Sequence, residues 1–112
     1  MHNSSHADVV ADERATVAAQ VASLEQSFED IVDSSELVST DDEHDPEGAT
    51  IAYERAQVAS LLESARRRLD ELDAAIERIE AGTYGRCDEC GGAIAPARLE
   101  VLPATPWCVA CA

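Results

Sequence analysis

The five glycines and four prolines of this chain fall in only two places, Pro46 with Gly48 and the stretch from Gly82 to Pro106. Two long intervals are therefore free of helix breakers. In the first, apolar positions step by alternating fours and threes through Val17, Val21, Leu24, Phe28 and Ile31, then Ser35 and Val38. In the second the same step runs through Ile51, Arg55, Val58, Leu62, Ala65, Leu69, Leu72, Ile76 and Ile79. An average repeat of about 3.5 residues is the seam of a coiled coil and not the period-two pattern of a strand.

The two seams meet at "TDDEHDPEG", Thr40 to Gly48, where five carboxylates crowd into nine residues. Leu24 and Leu62 lie about equally far from this stretch, as do Val17 and Leu69, so folding the chain back there aligns the seams as an antiparallel hairpin. The acidic stretch, residues 40–48, is then its tip. Asp45 is placed to cap the second helix, and Pro46 suits the first helical position, where a missing N–H is not needed. Gly82 marks the far end. At about 1.5 Å per residue, Pro46 to Ala81 gives an arm about 50 Å long. His44 reads as an exposed turn residue and not as a ligand.

Charge narrows the function. Acidic residues outnumber basic ones 23 to 8, for a net charge of −15, and every base is Arg. Such a chain is repelled by a phosphate backbone, which argues against sequence-specific DNA binding and for a partner with a basic surface or for metal ions. The start, "MHNSSHADVV", has neither a basic beginning nor an apolar run, and no segment is apolar enough to span a bilayer; the expectation is a cytoplasmic protein. Within "RRRLDEL", Glu63 with Arg67 and Arg67 with Asp70 have helical ion-pair spacing, the mark of a solvated face. Arg14 and Arg55 fall on seam positions, where they are expected to snorkel.

Beyond Gly82, Cys87, Cys90, Cys108 and Cys111 form C-x2-C-x17-C-x2-C. Each C-x2-C turn presents two thiolates to one tetrahedral metal, and Gly91 and Gly92 let the first turn close around it. Four thiolates leave no position for water, so the expected cofactor is one structural Zn²⁺ and the chain is not expected to be an enzyme. Permanent disulfides and a thioredoxin-like redox motif fit this sequence less well. Trp107, beside Cys108, is expected to pack over the metal as the module's small core.

"GTYGRCDECGGAI", "RLEVLP" and "CVAC" resemble the C4 zinc-finger signature of the DksA/TraR family of bacterial transcription regulators. The resemblance covers about residues 42–111. It implies a coiled-coil hairpin joined to a zinc module, and binding to RNA polymerase by way of the secondary channel, not to DNA. The family's tip has two Asp three residues apart followed by a small residue; Asp42 and Asp45 match that spacing, while Glu47 stands where the small residue would be. The resemblance thus gives Asp42 and Asp45 the regulatory role, with Asp41, Glu43 and Glu47 adding local field.

The expected fold is mainly α: a long antiparallel coiled-coil hairpin, residues 17–81, joined to a C-terminal four-cysteine zinc-finger module, residues 82–112, after a partly disordered segment 1–16. The hairpin is expected to close within one chain, giving a monomer. Two other functions use the same parts. Tip acids could help hold Mg²⁺ and stimulate transcript cleavage as Gre-type factors do, or the chain could be a zinc-capped coiled-coil adaptor that never meets polymerase.

Overall fold

The computed structural model describes residues 2–38 and 46–112. Three helices account for most of them: α1 (His2–Val38), α2 (Pro46–Ala81) and the short α3 (Pro96–Val101). Among the described residues the nearest approach to a sheet is one isolated antiparallel bridge between Arg86 and Ala93. Helices α1 and α2 form the expected antiparallel hairpin. Of the expected tip acids, Asp41, Asp42, Glu43 and Asp45 lie outside the described residues, as does His44; Glu47 falls in the first turn of α2.

Two compact units make up the chain, residues 18–67 and residues 1–17 with 68–112. In the first unit, Val21 and Leu62 are buried and Leu24, Phe28, Ile31, Ile51, Val58 and Ala65 are half-buried, all of them on the repeat. Tyr53 and Leu61, off the repeat, face solvent. Arg66 donates to Glu25 across the two helices at 2.8 Å, while Arg67 pairs with Glu63 along α2 at 3.2 Å. Exposed pairs of this kind contribute about 0.2–1 kcal/mol each, so the apolar seam remains the main term.

In the second unit the seam continues further towards the N-terminus than Val17. Helix α1 starts at His2, and Val10 is completely buried, as are Leu72 and Ala75 on α2. Residues 2–16 lie in α1, where Val10 and Arg14 carry the four-three step back another heptad. Arg68 also departs from the solvated-face reading. It donates to Glu13 of α1 at 3.2 Å, as Arg66 does to Glu25.

Arg14 occupies a seam position between buried Val10 and Val17, and its Nε donates to the Asp73 carboxylate on α2. The carboxylate, as hydrogen-bond acceptor and counter-charge, raises the guanidinium pKa. A polar pair in an otherwise apolar seam specifies register, at some loss of stability relative to an apolar one. Arg14→Leu is therefore expected to hold or raise the thermal midpoint while allowing self-association, which melting curves and light scattering would report. A lowered midpoint in a strictly monomeric variant would contradict this.

Helix α2 ends where Gly82 adopts a φ of 76°. The Gly82 N–H donates to Ile79 O at 3.2 Å and the Thr83 N–H to Arg78 O at 2.9 Å, the paired bonds of a left-handed helix terminus. A side chain at Gly82 would meet no neighbour but would strain this backbone. The turn brings Tyr84 beside α1 and α2, its N–H donating to Arg78 O at 3.2 Å and its ring 5.1 Å from that of His6.

Candidate metal centre

The first knuckle is built by its own backbone. Cys87 N–H donates to Gly92 O at 2.8 Å, and Gly91 N–H donates back to Cys87 O at 2.9 Å, with Gly91 at a φ of 74°. Gly92 N–H points at Cys90 Sγ, 3.4 Å away. The second knuckle closes more simply, with the Cys111 and Ala112 N–H groups donating to Cys108 O at 3.1 and 3.0 Å. Asp88 N–H donates to Pro106 O at 2.8 Å and ties one knuckle to the other.

The result is that the Sγ atoms of Cys87, Cys90, Cys108 and Cys111 all lie within 4.8 Å of one another. A tetrahedral Zn²⁺ with Zn–S bonds of about 2.3 Å requires sulfurs about 3.8 Å apart. Cys90 and Cys108 stand at 3.8 Å. All four cysteines are free, and this separation is far from the roughly 2.05 Å of a disulfide.

Electrostatics inside the set favour a cation. Backbone N–H groups of Cys108 and Cys90 draw the Cys87 thiol down to about 6. Cys111 is pushed up to about 12 because it serves as proton donor to the Cys108 and Cys87 sulfurs. One thiolate is comfortable here and several together are not, unless a divalent ion offsets their charge. Donor number, spacing and softness all fit zinc.

The module's core differs from the expected one. Cys87, Ile94 and Leu99 are buried together, and Tyr84, Cys108 and Cys111 pack against them. Trp107 is 44% exposed. It lies outside that cluster, its backbone held by two bonds: Arg98 Nε donates to Trp107 O at 2.9 Å, and the Trp107 N–H donates to Thr105 Oγ1 at 3.4 Å. The aromatic residue that packs against the core is half-buried Tyr84, whose hydroxyl donates to Pro103 O at 2.8 Å. Burial raises its pKa above the usual value. The available signal was an amphipathic ring directly after the helix-ending glycine, since a buried Tyr needs an apolar seat and a partner for its hydroxyl.

Arg78 was equally unmarked. Its guanidinium, on the last turn of α2, donates to Ala104 O at 3.1 Å, and Ala104 is buried. The "RLEVLP" segment thereby has a structural meaning: Arg98 holds the second knuckle, Leu99 enters the core and Pro103 receives Tyr84.

A helical hairpin with a closed four-thiol centre at its C-terminal end is the architecture of a C4 zinc-finger protein. Residues 82–112 match the prokaryotic dksA/traR C4-type zinc finger, and the four clustered thiols fit one structural zinc. The whole fold is similar to the structure of transcription factor DksA2 from Pseudomonas aeruginosa, with a TM-score of 0.81 at 24% identity, covering 97% of this chain and 78% of that one. An uncharacterized protein of Aquifex aeolicus (strain VF5) is 50% identical over 44 residues, 39% of this chain. General stress protein 16O of Bacillus subtilis (strain 168) is 32% identical over 68 residues, 61% of this chain. The matches span 30% and 42% of those two relatives' own lengths. Among the described residues no helix is long and apolar enough to cross a membrane.

Proposed function

We propose that this chain is a DksA/TraR-like transcription regulator that binds RNA polymerase through the secondary channel and alters initiation without reading DNA sequence. The observation that carries the proposal is the fold likeness to transcription factor DksA2 over 97% of the chain, together with the family match of its zinc finger. A net charge of −15 supports a protein partner over nucleic acid. In this reading Cys87, Cys90, Cys108 and Cys111 are the four zinc ligands, and the zinc does no chemistry on a substrate. The protein works in the cytoplasm as a monomer and is not an enzyme.

Asp42 and Asp45 carry the regulatory effect, with Asp41, Glu43 and Glu47 contributing to the field around them. Carboxylates brought to a site where metal, nucleic acid and basic side chains meet act through charge and hydrogen bonding. The test is in vitro transcription with polymerase of the source organism, comparing wild type with the Asp42→Asn, Asp45→Asn double variant at one fixed salt concentration. The double variant is expected to compete for polymerase as wild type does yet lose its effect on promoter-complex lifetime and transcript yield. Normal binding with unchanged regulation would defeat the tip mechanism, absence of binding by wild type would favour the adaptor, and loss of backtracked-RNA cleavage would favour Gre-like action.

A further inference from the structure

The zinc core is tied to the N-terminal part of α1 through one aromatic contact. Tyr84 packs against the cluster of Cys87, Ile94 and Leu99, and the His6 ring of α1 lies with its centroid 5.1 Å from that of Tyr84 at a 45° tilt. Tyr84 has little freedom to adjust. Its N–H donates to Arg78 O at 3.2 Å and its hydroxyl to Pro103 O at 2.8 Å. Cys87 forms part of what Tyr84 rests on, and Cys108 and Cys111 pack against the same core.

We propose that zinc occupancy controls the docking of residues 2–9 of α1, the turns ahead of buried Val10, with the Tyr84–His6 contact as the link. The proposal rests on the zinc assignment and adds a consequence to it. The metal holds two knuckles together that are separated by 17 residues of chain and contain none of the hairpin's seam. When the ion leaves, the core under Tyr84 loses its cross-link, and the ring is no longer held where His6 meets it. Residues 2–17 belong to the same compact unit as the zinc finger, whereas residues 18–67 form the other. The response should therefore be local to one unit.

Linkage makes the coupling measurable from either end: if zinc favours docking of α1, docking of α1 favours zinc by the same factor. His6 is far in sequence from every cysteine and offers no ligand to the cluster. His6→Ala should nevertheless weaken zinc binding about 2- to 10-fold, the range of an aromatic pair, while His6→Phe keeps a ring and should remain near wild type. Zinc affinity is read by competition of the full chain with a chromophoric chelator, and hydrogen exchange is followed with and without the metal. Zinc removal from wild type is expected to speed exchange in residues 2–9 and 82–112 and leave 18–67 largely protected.

The outcomes separate cleanly. Zinc-loaded wild type whose residues 2–9 exchange at the same rate after metal removal would overturn the coupling and leave the zinc assignment standing. Unchanged zinc affinity in His6→Ala would overturn the Tyr84–His6 link, as would an equal loss in His6→Phe. Uniform loss of protection across the whole chain would replace the local device with global unfolding. Wild type that binds no zinc would overturn the zinc assignment and the coupling together.

Discussion

Replacing Cys90 by Ser will cost the chain its zinc and unfold residues 82–112. Cys90 is the informative choice because it is exposed, whereas Cys87 is also part of the buried core. A loss at Cys90 therefore reports the metal and not lost packing. Structural zinc contributes about 10 kcal/mol or more to modules of this kind, and a serine hydroxyl is a much poorer ligand than a thiolate. Affinity should fall by more than the roughly 10- to 100-fold typical of changes in the groups surrounding a ligand shell. Metal analysis gives the stoichiometry, and the fluorescence of Trp107, the chain's one tryptophan, follows the module's folding. Full zinc content and wild-type fluorescence in Cys90→Ser would refute the four-thiol site. Acidification should release zinc in the wild type, because protons compete for the same thiolates; a zinc content that rose with falling pH would have the wrong sign.

The second large effect is expected in the hairpin. Leu72 is completely buried, beside equally buried Ala75 in the unit that also holds Val10. Leu72→Ala removes most of a core side chain and leaves a cavity the helices can only partly close, which destabilises by about 2–5 kcal/mol. That is a large share of the roughly 5–15 kcal/mol that holds a typical domain folded. Leu61→Ala is the control, since Leu61 is 52% exposed and its loss should change stability by about 0.5 kcal/mol or less. Urea denaturation of the two variants, both zinc-loaded, decides the matter. Equal midpoints would mean that the repeat does not define the core.

Much of this architecture was legible in the residue pattern. The four-three step predicts which positions turn inward, and the structure buries or half-buries Val21, Leu24, Phe28, Ile31, Leu62, Leu69 and Leu72. Arg55 is the exception on the second seam: it stays exposed, as a charged guanidinium on a long stem can. The cysteine spacing was likewise sufficient to anticipate one closed metal centre, because C-x2-C turns have few other uses at that separation. These features depend on short-range geometry, in which the helical period or a tight turn alone settles where a side chain points.

What only the tertiary structure decided were choices among partners that look equivalent along the chain. Arg67 has acids at helical spacing and keeps one of them, Glu63, whereas Arg66 and Arg68 reach across to Glu25 and Glu13, and Arg14 takes Asp73. Sequence spacing fixes the candidates within a helix but not the register between helices, and the register selects the cross-helix pairs. The exchange of Trp107 for Tyr84 in the zinc-finger core has the same origin. The backbone bond from Asp88 to Pro106, and those that Trp107 makes to Arg98 and Thr105, hold the second knuckle with Trp107 outside the buried cluster. Contacts between segments far apart in the chain thus accompany the choice of which aromatic packs on the core, and local composition carries no record of them.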